Sequence, residues 1–327
     1  MNGTAHTTPY KFSSLEFASA YLTTMRPYLM FVSGITGLVG LSFTHDVPIA
    51  QVALVFVASF FSYGFGQALT DCFQIDTDSL SSPYRPLTQG LISRKQVFCV
   101  SAIGLILCTT IFSIYNPINL ALGLVAGLGL ATYTPFKRRW WSGPFYNSWI
   151  VVALCLMAFM TGRQEFSLSL PAVCALFAVF FGYANFVLSG YFKDISADGK
   201  TGYNTLPVVF GRKTAAVVSD VFAGLTVAAA AAFAVWNIGT GRMTVPALIA
   251  VVLSFVGTLT ALAAQVRLHR VSSDEEAHSA IAPVVHSYIL VLSSIVCFQK
   301  PEWTAFLIVF YAAFVLVLKI RPAKNQI

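Results

Sequence analysis

Two short stretches carry most of the chemistry this sequence could do. One is Thr70-Asp71-Cys72-Phe73-Gln74-Ile75-Asp76-Thr77-Asp78, with Pro83-Tyr84-Arg85-Pro86 just beyond it. The other is Tyr191-Phe192-Lys193-Asp194-Ile195-Ser196-Ala197-Asp198, followed by Gly202-Tyr203-Asn204-Thr205-Leu206-Pro207. The chain has 13 acidic residues, and five of them are here. Each group ends a long apolar run, where a bare carboxylate is costly. A divalent cation bridging to an anionic ligand accounts for the concentration. If Thr70 to Asp78 is the end of one helix, Asp71, Gln74 and Asp78 fall within roughly 60° of one another and Asp76 points away. Asp194 and Asp198 are four apart and share a face. Two such clusters of hard oxygen donors, facing inward, suit Mg²⁺ completed by phosphate oxygens. Arg85, Lys137, Arg138 and Lys193 are the cations placed to grip a diphosphate. The plainer reading of Arg138 and Arg139 is that they only set topology.

The elements that must position these groups are membrane helices. The chain of 327 residues is 57% hydrophobic and 10% charged, against about 25% charged in a typical soluble domain. Its mean hydropathy is +0.73. Apolar runs lie at about 27–43, 48–69, 97–115, 118–134, 144–160, 170–191, 214–236, 245–266, 280–298 and 303–318. They are long enough to span as helices, and no in–out alternation suggests a strand barrel. The expected fold is all-α, a polytopic bundle of nine to ten transmembrane helices around a central cavity. We divide it into a cytoplasmic N-terminal segment, 1–24, in which 14–22 could form a short interfacial helix, and a single transmembrane domain, 25–327. No cleavable signal peptide is visible.

Counting Lys and Arg orients the bundle. With the N-terminus inside, 17 of the 20 fall on inner segments, leaving only Arg163, Arg242 and Lys300 outside. This asymmetry puts both acidic stretches on the cytoplasmic side. It also explains the net charge of +7 without a nucleic-acid partner. The six cysteines (Cys72, Cys99, Cys108, Cys155, Cys174, Cys297) contain no C-x-x-C pair and read as packing residues. An internal echo spans the halves: Ser93-Arg94-Lys95-Gln96 and Gly211-Arg212-Lys213-Thr214 each open a helix, and Asp78 and Asp198 are 120 positions apart. Two similar sites facing each other across a cavity would follow from such a duplication.

These residues resemble the UbiA superfamily of intramembrane prenyltransferases, which carries a first motif of form N-D-x-x-D-x-x-x-D and a second of form D-x-x-x-D. Here they would be Thr70-Asp71-x-x-Gln74-x-x-x-Asp78 and Lys193-Asp194-x-x-x-Asp198. Met25-Arg26-Pro27, Tyr133-Thr134-Pro135-Phe136-Lys137 and Gly143-Pro144-Phe145-Tyr146-Asn147 are similar as well, so the resemblance runs from about residue 25 to 300. It implies nine spanning helices, which makes the tenth run an addition. It implies that Mg²⁺, held by Asp71, Gln74, Asp78, Asp194 and Asp198, binds the diphosphate of an isoprenyl donor with Arg85, Lys137, Lys193 and Asn147. Asp71, Asp78, Asp194, Asp198 and Tyr191 would be the catalytic set. The allylic cation, sheltered by aromatic faces with Tyr191, Tyr133 and Tyr146 foremost, would be captured by an aromatic or other lipophilic acceptor. Two positions depart from the pattern: Thr70 replaces Asn, and Gln74 replaces Asp, so the first metal site has one negative charge fewer.

Asn185, about two turns before Asp194, is a candidate for the same cavity or for a backbone bond. His286 reads as a packing histidine, and Asp274-Glu275-Glu276 as a solvated loop. A terpene cyclase of the same superfamily is the alternative enzyme, distinguished by a cyclic product from donor alone. A transporter is the third reading, but its acids should stand at mid-helix rather than at helix ends.

Overall fold

The computed structural model describes residues 8–163, 165–240 and 244–320. Arg242, Arg321 and Lys324 of the topology count, and the first seven residues of the N-terminal segment, lie outside the described residues. The described chain is helical: α1 (Leu15–Thr24), α2 (Met30–Ser42), α3 (Ile49–Asp71), α4 (Ile75–Ser81), α5 (Arg94–Tyr115), α6 (Ile118–Lys137), α7 (Gly143–Met160), α8 (Leu170–Tyr191), α9 (Ile195–Lys200), α10 (Leu206–Thr240), α11 (Val245–Arg270), α12 (Asp274–Gln299) and α13 (Thr304–Ile320). Among the described residues nine helices are long and apolar enough to cross a membrane, and the stretch 27–42 is a shorter apolar one. The protein is an integral, multi-pass membrane protein.

Local chemistry sets the helix starts. Ser14, Ser169, Thr244 and Ser273 cap their helices by accepting a backbone N–H, and Ser93 with Gln96 forms a full capping box before α5. Pro144, Pro171 and Pro246 sit in first turns, where no N–H is needed. Gly211, at φ 79°, interrupts α10, so that its long arm begins at Arg212 as α5 begins at Arg94.

The bundle is a ring around α2. Neighbours follow in the order α3, α5, α6, α7, α8, α10, α11 and α12, and α2 packs on α3, α7 and α12. Every residue of α2 is buried. Gly40 permits this close fit, because a Cβ there would strike the carbonyl of Cys155 in α7. The outer helices turn large apolar side chains outward, Ile106, Leu128, Phe255 and Val309 among them, as lipid-facing surfaces should. α13 packs on α2 and α3 through Phe310 and Phe314, with ring centroids 5.0 and 5.7 Å from Phe31. Its Leu318 reaches the wall of the central cavity.

Two sequence expectations fail here. Thr70–Asp78 is not one helix: α3 stops at Asp71, and α4 restarts at Ile75 after a tight turn in which Gln74 N–H bonds to the Asp71 carbonyl at 3.2 Å. The second stretch repeats the device, with Asp194 N–H on the Tyr191 carbonyl at 3.1 Å. Asp274-Glu275-Glu276 is not a loop but the first turn of α12, in which Glu275 and Glu276 are exposed and Asp274 is not. Asp274 accepts from Arg212 and, at 2.8 Å, from the Ser196 N–H, so it fastens α9 and α10 to α12.

Candidate active site

The two helix breaks face each other at one end of the bundle. Gln74 and Asp194 are their structural counterparts. Each precedes its short helix, at φ −126°, ψ 20° and φ −112°, ψ 6° respectively. They are 120 positions apart, as are Asp78 and Asp198, and as are Asp71 and Tyr191. Each half therefore offers two carboxylates and one neutral group, with the neutral group at a different place: Gln74 in the first half, Tyr191 in the second. α4 and α9 touch, and Thr77 donates to Asp198 Oδ1 at 2.9 Å across the pseudo-repeat.

The breaks open into a cavity lined by Asp71, Gln74, Asp78, Arg85, Tyr133, Lys137, Asn147, Tyr191, Lys193 and Asp194. All but one of the residues expected to hold metal, bind diphosphate or act in catalysis thus share one hollow, Arg138 aside. The exception is Asp198, which is wholly buried behind the cavity wall, between Thr77 and Lys137. Asp194 and Asp198 do not project together, because Asp194 precedes α9 and its backbone is not helical.

Each acid is matched by a cation. Arg26 Nη2 donates to both oxygens of Asp71, at 3.1 and 3.0 Å. Arg85 meets Asp78 at 2.8 Å, Lys193 meets Asp194 at 3.9 Å, and Lys137 lies 3.6 Å from Asp198. Lys137 Nζ also donates to Gln74 Oε1 at 2.9 Å. Among the described residues no three Asp, Glu, His or Cys side chains form a ready metal cage. Two buried groups are left open: Asp198 Oδ2 and Arg85 Nε have no hydrogen-bond partner. Burial pushes the Asp198 carboxyl up to about 6 against the pull of Lys137. Burial also raises Asp78 despite Arg85. At Asp194 burial again pushes upward, but Lys193, Lys137 and Arg85 outweigh it and hold the carboxyl below its ordinary value. Lys193 is lowered by burial to about 8, in spite of Asp194.

Arg26 went unnoticed as a site residue, although Met25-Arg26-Pro27 stood out in the sequence. It sits at φ 53°, in the left-handed region that non-glycine residues avoid, and this turns its side chain onto Asp71. Gln67, one turn before Asp71, was also missed; its Nε2 donates to Asp71 Oδ1 at 2.7 Å. Tyr28, Tyr63 and Tyr183 add aromatic wall. Tyr133 and Tyr191 share a hydroxyl–hydroxyl bond of 2.7 Å. Gly143 makes room for it, since a Cβ there would collide with the Tyr191 hydroxyl.

Other expectations are corrected. Tyr146 is not in the cavity; it stacks on Phe136 at 3.9 Å and bonds to Thr132. Arg138 pairs with Asp76 at 2.8 Å, both nearly half exposed, so neither enters the site. Tyr203 also donates to Asp76, at 3.0 Å. Asn185 faces away, accepting from Ser219 at 2.5 Å and from Gln265 at 3.3 Å. His286 bonds to Tyr311 at 2.8 Å, as a packing histidine would.

A family model described as the UbiA prenyltransferase family matches residues 30–288. The chain is 31% identical over 222 residues to a digeranylgeranylglyceryl phosphate synthase of Thermococcus kodakarensis, covering 66% of this chain and 77% of that protein. Among solved structures, a UbiA homologue from Aeropyrum pernix K1 superposes with a TM-score of 0.65 at 19% identity, over 90% of this chain and 99% of that one. A UbiA homologue from Archaeoglobus fulgidus, bound to GPP and Mg²⁺, gives 0.62 at 19% identity, over 84% and 99%. The fold is theirs.

Proposed function

Because the chain belongs to the UbiA prenyltransferase family, we propose that it moves an isoprenyl group from a prenyl diphosphate to a lipophilic acceptor, an aromatic ring or a lipid hydroxyl, within the membrane. The observation that carries this reading is the single cavity in which two helix breaks present matched acids and cations beside aromatic walls. A soluble diphosphate and a membrane-bound tail can meet only at such a place, at the end of a bundle. The charge asymmetry of the loops favours a cytoplasmic mouth.

Asp71, Gln74, Asp78 and Asp194 are hard oxygen donors on the cavity wall that would fit Mg²⁺, while Asp198, enclosed behind the wall, holds Lys137 instead. Scattered pairs rather than a cage suit an ion that keeps waters and shares phosphate oxygens. Bound there, Mg²⁺ supplies positive charge that stabilises the departing pyrophosphate. The chain's own part is to bind the leaving group: Arg26, Arg85, Lys137 and Lys193, now paired with the acids of the same site, would pair with the non-bridging oxygens, and the open Nε of Arg85 would gain an acceptor. The allylic C–O bond then breaks. Tyr28, Tyr63, Tyr183 and Tyr191 offer π faces to the cation and keep water from it. The acceptor's nucleophile forms the new bond at C1 and gives up its proton. Purified protein incubated with Mg²⁺, prenyl diphosphates and membrane extract should release pyrophosphate and form a prenylated lipid. A cyclic hydrocarbon from donor alone would favour the cyclase instead.

Two further results are expected. Gln74→Asp restores a carboxylate opposite its counterpart Asp194. It should lower the Mg²⁺ concentration for half-maximal activity roughly tenfold, since ligand charge sets affinity; an unchanged metal titration would remove Gln74 from the ion's shell. Donor affinity should fall as pH rises above about 8, where Lys193 loses its proton. A bound diphosphate raises that pKa, so binding takes up a proton in this range. Calorimetry in buffers of different ionisation heat would detect it, and Lys193→Met should abolish the uptake.

A further inference from the structure

The cavity does not end at its charged chamber. Tyr63, Gln67, Thr70, Asn147 and Tyr183 also line a second space that continues between α3, α5, α6 and α7. Beyond this junction the lining turns apolar, with Ala126, Leu130, Ile150 and Leu154 on its walls. Phe112 and Met157 close the far end, packed with Leu41, Val55 and Ala158. Phe112 is 0% exposed.

That end wall is fixed in place. Asn119, itself wholly buried, donates from Nδ2 to the carbonyl oxygens of Phe112 at 3.0 Å and Met157 at 3.1 Å. One side chain thus ties α5 to α7 at the level where the space stops. An end wall anchored by its backbone holds its position when a ligand presses on it, unlike one made of side chains free to swing.

We infer that this second chamber measures the donor's chain: the isoprenyl tail runs from Asn147 to Phe112 and Met157, and these two side chains set its longest length. The inference rests on the prenyl-transfer reading above. Asn147 and Met157 are ten residues apart on α7, roughly 15 Å at the helical rise. An isoprene unit adds four carbon–carbon bonds of about 1.5 Å in zigzag, on the order of 5 Å. The chamber therefore takes about three units, a farnesyl tail, and a geranylgeranyl tail must fold or push on Phe112. Gly127 lines the same space, and a Cβ added there meets nothing within 4 Å. Bulk can be introduced at that point without a clash against the protein.

The test compares dimethylallyl, geranyl, farnesyl and geranylgeranyl diphosphates with inorganic pyrophosphate, all with Mg²⁺. Binding is followed by thermal shift and turnover by pyrophosphate release. In the unaltered protein each added unit should tighten binding at least about tenfold up to farnesyl and then stop, because each buries further apolar surface until the wall is met. Phe112→Ala should move that stop one unit longer, to geranylgeranyl. Gly127→Leu should move it one unit shorter, to geranyl. The binding readout decides the matter even for a variant that turns over poorly. If both variants keep the original ranking of lengths, or if length has no effect on binding, the chamber is not the measure, and the transfer reading stands. If no prenyl diphosphate binds better than pyrophosphate, the donor assignment itself fails.

Discussion

Asp194→Asn lowers kcat/KM for Mg²⁺-dependent pyrophosphate release by at least about 10³-fold, the scale expected when a group that organises charge at the reacting centre is lost. The substitution keeps the shape of the side chain, and the turn before α9 is held by backbone bonds, so the fold should survive. What changes is the charge count. Lys193, Lys137 and Arg85 converge on Asp194 strongly enough to keep it ionised despite burial. An amide leaves that cationic group without its anion and, on the proposed reading, removes one of the oxygens that would hold the ion. The effect should fall on turnover more than on thermal stability. Asp76→Asn is the control. Its carboxylate is half exposed, pairs with Arg138 outside the cavity, and should cost less than about threefold, as exposed pairs do. Retained Mg²⁺-dependent release by the Asp194 variant would remove Asp194 from the catalytic set.

Lys137→Met destabilises the protein by about 3–5 kcal/mol, the usual cost of removing one partner of a buried ion pair. Lys137 is 5% exposed and Asp198 is 0% exposed. Methionine matches the length of the lysine stem but leaves Asp198 charged and enclosed, with only Thr77 donating to it. Burial already pushes that carboxyl upward with the lysine present, so its loss should drive Asp198 to bind a proton near neutral pH. Asp198→Asn should cost less on its own, and the double variant should recover much of the stability lost by the single lysine change. Thermal unfolding in detergent across the four proteins measures the coupling. Additive losses, with no recovery in the double variant, would show that the two residues are not a pair.

Much of the site could be read in the sequence. The acids announced themselves because carboxylates at the ends of apolar runs need a reason, and the positions of Lys and Arg placed both stretches at one end of the bundle. The helix breaks were not legible. Neither Cys72-Phe73-Gln74 nor Phe192-Lys193-Asp194 contains Gly or Pro, so no local signal ends α3 or α8. The chain turns there because the carboxylates and cations of two distant segments must converge. Helical periodicity put Asp71, Gln74 and Asp78 on one side for the wrong reason, and misplaced Asp198 for the same one. Arg26 was missed because its left-handed backbone, which aims it at Asp71, cannot be read from residue types. Tyr146 failed because a motif fixes a residue's place along the chain but not the direction of its side chain.

The one-to-one matching of acids and cations has a consequence for how the ligand arrives. A set of charges that cancel in pairs casts almost no field beyond its own opening, so it cannot draw an anion in from bulk solution. Long-range attraction comes instead from exposed basic residues such as Lys95, Arg139, Lys200 and Lys213, and that attraction weakens with ionic strength over about a Debye length. The association rate should therefore fall as salt rises, while the dissociation rate of the seated complex, enclosed and held at contact distance, should hardly respond.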